Sequence, residues 1–182
     1  KPYCSSASGL DKYFGKNNAN RFIIYTDSSF KNPDSLTNYP SIKKHLDKFQ
    51  AVITSDNKPY GLHRARNKKF FRDEKIVVQR KSIDSPIFTY FEYEGYFSAM
   101  FYLIKSDRIN LKYLTSILNS KLITFWLRYK GKMQGNNFQI DKAPLINIPI
   151  LQSPDNTIFI DLVDQIMSLK EKSQDTSTLE AQ

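Results

Sequence analysis

The sequence predicts an α/β (α+β) fold: a twisted, mainly antiparallel sheet packed against helices, with an amphipathic helix near the end of the chain. Three observations carry this reading. β-Branched and aromatic runs crowd residues 75–104, the signature of strands. Apolar residues return at helical spacing over 110–129 and 156–172. The chain is 40% hydrophobic and 14% aromatic over 182 residues, enough for a true core and too much for a disordered tail.

The elements follow in order. Residues 1–20 are small and polar around Leu10, Tyr13 and Phe14 and read as an irregular lead-in. The run Arg21 to Thr26 predicts a buried strand, and the Asp, Ser, Asn and Pro of 27–40 a loop. Tyr39-Pro40-Ser41 opens a helix with Ile42, Leu46 and Phe49 at helical spacing. After an irregular basic stretch at 54–74, Lys75 to Arg80 reads as a strand. Residues 87–93 and 96–104 read as a hairpin turning at Glu94-Gly95.

The helical pattern from Asn110 to Tyr129 places Leu111, Leu114 and Leu118 on one face, continued by Leu122, Phe125 and Trp126. Asn119-Ser120 predicts a joint, because this pair can cap a second helix there. A basic, Gly-containing loop follows at 131–137. Phe138–Ile140 and Ile148–Leu151 are short apolar runs that Pro144 and Pro149 confine to edge positions. Ile158, Leu162, Ile166 and Leu169 make one stripe of a helix over 156–172, and 173–182 reads as a frayed tail.

Lys and Arg number 27 against 18 Asp and Glu, a formal charge of +9. Such an excess favours polyanionic partners but also fits a merely basic soluble protein. Cys4 is the lone cysteine, which excludes an internal disulfide framework and suits a reducing, cytoplasmic setting. No apolar run has membrane-spanning length. The chain starts at Lys1, so it reads as a piece of a longer protein.

The residues offer little for catalysis. His45 and His63 lie in different segments, outside any ligand-spaced cluster, and no phosphate-cradling Gly-rich motif is present. Asp56 with Asp73-Glu74-Lys75 is a loose echo of a nuclease metal site, so a small Mg²⁺ nuclease is one alternative. There the apolar strand follows the acidic pair instead of leading into it, and a solvated turn explains the residues more simply. No Pro-Pro pair exists, so the Asn/Asp-Pro-Pro-aromatic tetrapeptide of amino-methyltransferases is absent. No catalytic or metal-binding residue is assigned.

Two clusters suggest nucleic acid. Lys58, Tyr60, Arg64, Arg66, Asn67, Lys68, Lys69 and Arg72 crowd one segment; Lys130, Lys132, Gln134, Asn136, Asn137 and Gln139 crowd another. Arginine forks match guanine edges and phosphates, and lysines hold phosphates. Amides can pair with adenine in the major groove. Ordinary solvated loops are the competing explanation, as is an RNA-binding or protein-interaction module. Tyr90, Tyr93, Tyr96, Phe97, Phe101 and Tyr102 fit either a stacking platform for single strands or a sheet core, and core is the simpler.

A family resemblance narrows these options. Its landmarks are IIYTD (23–27), YPSIKKHLDKF (39–49), YGLHRARNKKFFRDEKIVVQR (60–80) and the FTYFEY and YFSAMFYLI runs. It continues through LKYLTSILNSKLITFWLRYKGKMQG (111–135) and FQIDKAPLINIPI (138–150). In this order and spacing the chain resembles the TaqI-like C-terminal specificity domain. That is the target-recognition domain of adenine-specific DNA methyltransferases and of fused type IIG restriction–modification enzymes.

The resemblance covers roughly residues 1–150 and implies a DNA target-recognition domain there, leaving 151–182 as a C-terminal helix and tail. It implies a double-stranded DNA partner, read in the major groove, and an adenine flipped into a catalytic domain N-terminal to this one. S-adenosylmethionine is expected in that domain, with no cofactor in this chain, and a fused endonuclease is an option of such parents. The 156–172 helix corresponds either to the spacer helix of type I specificity subunits or to a cover for the sheet.

Overall fold

The computed structural model describes residues 1–16, 21–53 and 56–181, which form two compact units. The smaller comprises Lys1 and Phe22–Lys69. Its α-helix is α1 (Pro40–Asp47), with Pro40 at the first helical position, where a missing N–H costs nothing. The strand expected over 21–26 does not form. Phe22 is 74% exposed, and the segment's ordering comes from bonds made one at a time. The Thr26 hydroxyl donates to the Tyr60 carbonyl, and the Leu62 N–H donates to the Thr26 carbonyl. Propensity favoured a strand, but among the described residues the pairing stops at one bridge at Phe22, where the Ile23 N–H donates to the Lys1 carbonyl and the Arg21 carbonyl accepts from the Tyr3 N–H.

The larger unit comprises Pro2–Arg21 and Phe70–Gln182 and holds all the described strands. β1 (Tyr3–Cys4) and β2 (Tyr13–Phe14) are short. Then come β3 (Lys75–Gln79), β4 (Lys81–Ile83), β5 (Phe88–Phe91), β6 (Tyr96–Phe97) and β7 (Phe101–Ile104). The helices α2 (Leu111–Leu118) and α3 (Lys121–Lys130) lead into β8 (Lys132–Gln134) and β9 (Asn137–Gln139). α4 (Lys142–Ile146), α5 (Thr157–Glu171) and α6 (Ser177–Glu180) follow.

The main sheet runs β2-β5-β3-β7, with β3 antiparallel to both β5 and β7 and β2 parallel to β5. The expected hairpin between 87–93 and 96–104 is therefore corrected: β3 lies between its two arms. The Gly95 N–H donates to Phe71 instead of closing a two-residue turn, and β6 pairs with β1. Burial on both faces makes β3 a central strand.

Ile76, Val78, Phe88 and Tyr90 share one face of the sheet and pack against Leu111, Leu114 and Leu118 of α2 and Ile123 and Leu127 of α3. The α2–α3 joint forms as expected. Asn110 caps α2 by accepting from Lys112 and Tyr113 N–H groups, and the Ser120 hydroxyl accepts from Ile123 N–H. Asn119 is buried between the helices; its amide oxygen accepts from Phe88 N–H, and its amide nitrogen donates to Phe88 and Thr115 carbonyls. The side chain thus completes the edge of β5 as a strand would.

Of the expected α3 stripe, Trp126 packs on the core, but Leu122 and Phe125 are exposed and Ile123 and Leu127 take the buried places. The break at Ser120 resets the helical phase, so a stripe extrapolated from α2 lands on the wrong face. α5 packs on α2 and β2 through Val163 and Ile166, while Ile158 is exposed. The tail is folded back: Thr176 is buried, and Lys170 bonds both Asp11 and Glu180. No described helix is long and apolar enough to cross a membrane.

Candidate nucleic-acid interface

In the smaller unit, segment 58–69 is an irregular loop with a built interior. Tyr60 is buried, and its hydroxyl donates to Asp47, with Lys43 over its ring. Tyr60, expected among contact residues, is thus a support that holds the loop to α1. Gly61 lies so close to the backbone that a Cβ would sit 2.7 Å from the Asn57 carbonyl oxygen and 2.9 Å from that of Asp27. Asn57 donates to Leu62, and Tyr25 donates to the Arg66 carbonyl. Asn67 accepts from the Lys69 N–H in an Asx turn, and Arg64 takes a left-handed conformation (φ 57°).

This framework leaves Lys58, Arg64, Asn67 and Lys69 exposed and Arg66 half-buried. Lys68 bonds Asp27 at 2.8 Å, and that ammonium, with the Ser29 hydroxyl, holds the Asp27 carboxyl down at about 2. Arg72, exposed, belongs to the larger unit.

The larger unit carries the second cluster, and here the structure sharpens the expectation. Residues 132–139 are a β-hairpin, not a loop: β8 and β9 pair as Lys132↔Gln139, Met133↔Phe138 and Gln134↔Asn137, around Gly135-Asn136. Gly135 has φ 60°, the conformation that a primed two-residue turn demands. The Gly-Asn pair was the available signal. At its root, Gly131 closes α3; a Cβ there would lie 2.4 Å from the Leu127 carbonyl oxygen.

β4 pairs with the far side of β9 as Lys81↔Gln139, Ser82↔Phe138 and Ile83↔Asn137. Strand side chains alternate, so Met133, Phe138 and Ser82 share one face and Phe138 is sunk in the core. The other face carries Lys132, Gln134, Asn137 and Gln139, four residues of the predicted cluster, with Asn136 exposed at the tip. Lys130 lies over the Trp126 ring at the end of α3. Lys132 pairs with Asp141 at 3.1 Å and, ahead of a weaker Gln139 bond, lowers that carboxyl's pKa. Lys81 and Ile83 share this outward face through their register; sequence patterns pass over them because only the pairing puts them there.

The acidic residues considered for metal chemistry have other engagements. Glu74 accepts from the Tyr90 hydroxyl, Asp73 lies 3.7 Å from Lys105, and Asp56 lies 3.9 Å from His63. Among the described residues no group of three or more metal-ligating side chains converges. Tyr90, Tyr96, Phe97 and Phe101 are buried, so that much of the aromatic set is core. Lys75 is also buried, donating to the Asp73 and Tyr93 carbonyls, and desolvation brings its pKa down to about 8.

A family profile described as the TaqI-like C-terminal specificity domain matches residues 9–150. The Type II methyltransferase M.HincII of Haemophilus influenzae is 26% identical over 150 residues, covering 78% of this chain and 29% of that protein. The Type II methyltransferase M.HindII, also of Haemophilus influenzae, is 30% identical over 91 residues, covering 50% of this chain and 18% of that protein. The chain thus spans less than a third of either relative.

Proposed function

The chain belongs to the TaqI-like C-terminal specificity domains of restriction–modification methyltransferases, and from that premise we propose that it binds double-stranded DNA sequence-specifically. It directs an N6-adenine methyltransferase domain of the same polypeptide, using S-adenosylmethionine, to its site, with or without a fused endonuclease. The observation that carries this reading is the hairpin face. It presents Lys132 and three amides on a backbone fixed by strand register, joined by Lys81 from the adjoining β4, with Asn136 at the tip. Amides supply paired donors and acceptors for base edges, and lysines supply phosphate anchors, the two kinds of contact that recognition needs.

In the irregular loop, Lys58, Lys68 and Lys69 hold phosphates, while Arg64, Arg66 and Asn67 sit where one or two base contacts arise. Arg72 and Lys130 add phosphate contacts. The test uses the intact protein and measures duplex binding over a salt series. Lys58→Ala, Lys69→Ala or Lys130→Ala should weaken binding on every sequence alike. Each should also flatten the salt slope by about 0.9, the share of one neutralised phosphate. Gln134→Ala or Asn136→Ala should instead cost roughly 1–3 kcal/mol at one position of the site. Unchanged binding in all five variants would refute the assignment.

A further inference from the structure

The outward face of the three-stranded sheet is larger than the hairpin that suggested it. Register builds two rows across β4, β9 and β8: Ile83–Asn137–Gln134 and Lys81–Gln139–Lys132. Strands in a row stand about 4.8 Å apart, so the three side chains of each row are immediate neighbours. Ile83, the last residue of the edge strand β4, is 74% exposed beside the Asn137 amide, an aliphatic group at the margin of a polar face. An open groove at this end of the sheet takes Ile83, Asn137 and Gln134 from the outward row and Ser82 and Phe138 from the opposite face. The Ser82 hydroxyl oxygen, on that opposite face, is buried without a hydrogen-bond partner among the described residues.

The chemistry of the row is complementary to one base pair. Asn and Gln amides match the N6 donor and N7 acceptor of adenine, and an aliphatic side chain matches the 5-methyl group of thymine. The lysines of the second row suit the flanking backbone. We propose that β4 is a reading strand: the Ile83–Asn137–Gln134 row recognises an adenine·thymine pair in the major groove, Asn137 or Gln134 taking the adenine and Ile83 the thymine methyl. Lys81 anchors a neighbouring phosphate. This rests on the duplex-binding function above and adds both the third strand and the identity of one pair it reads.

The experiment selects bound duplexes from a randomised pool with the intact protein, then replaces each thymine of the selected site by uracil, which deletes only the 5-methyl group. One thymine should show a preference over uracil of about fourfold, the worth of burying one methyl. Ile83→Ala should abolish that preference while leaving thermal stability and affinity for non-specific duplex unchanged, since the side chain is exposed. Lys81→Ala should weaken binding to all duplexes equally. An enriched site at which no thymine is distinguished from uracil, or at which Ile83→Ala keeps the distinction, overturns the role of β4 and leaves the binding function standing. A pool with no enriched site overturns both.

Discussion

Segment 58–69 and hairpin 132–139 carry similar side chains on differently built backbones. In the first, each turn is held by its own side-chain bond: Tyr60 to Asp47, Asn57 to Leu62, Tyr25 to Arg66, Lys68 to Asp27. In the second, strand register sets the outward residues and one buried ring, Phe138, holds the sheet to the core. The difference teaches where each surface is vulnerable. A loop assembled from single bonds is altered locally by single substitutions, whereas a registered hairpin keeps its face until its packing fails.

The largest effect should come from that packing. Phe138→Ala should cost about 3–5 kcal/mol in urea unfolding and dissolve the hairpin face, because it empties the one inward position that anchors β9. Asn119→Ala should follow at about 2–4 kcal/mol, since it strands the buried Phe88 N–H and carbonyl together. Neither side chain is itself a proposed contact: Asn119→Ala should leave base preference intact below its unfolding transition, whereas Phe138→Ala should lose preference together with the hairpin face.

Two glycines sharpen the contrast. Gly61→Ala puts a methyl group against fixed carbonyl oxygens and should cost about 1–3 kcal/mol in the same unfolding experiment. Gly135→Ala meets no neighbour within 4 Å, so only its positive φ is penalised, about 1 kcal/mol. Gly135→Asn should recover most of that loss, because Asn tolerates the left-handed region.

Titration separates the units by pH. The Asp27 carboxyl is depressed from 3.8 to about 2, so its contribution is complete above about pH 4 and disappears as pH falls through 2. Asp27→Asn should remove that acid limb of the stability curve. Lys75 is lowered from 10.5 to about 8, so the unfolded chain holds more protons between those values. Stability should therefore rise from about pH 8 towards 10.5, and Lys75→Met should flatten that rise.

Much of the fold was legible in the sequence. Short-range signals worked: Pro40 at a helix start, Ser120 as a cap, and β-branched Val77-Val78 in a strand. Long-range pairing did not announce itself. Nothing local in Phe88–Phe91 and Phe101–Ile104 says that β3 separates them, and nothing in the strand-like composition of Phe22–Tyr25 says that its pairing stops at one bridge. The hairpin amides are legible as residue types, and Gly135-Asn136 is a strand reversal flanked by polar residues too mixed to announce two strands. Ile83 and Lys81 were invisible as partners, because their place on that face depends on β9 lying beside β4, over fifty residues away.

The central claim is that the hairpin face chooses the DNA sequence while the lysines supply general affinity. The most direct measurement compares the intact protein with its Gln134→Ala/Asn136→Ala/Asn137→Ala variant, each binding a selected duplex and a scrambled one at fixed salt. The account predicts that affinity for scrambled duplex persists while the preference for the selected one falls by 10-fold or more, roughly the loss of one amide–base pair. A variant that keeps the full preference, or loses both affinities equally, would contradict it.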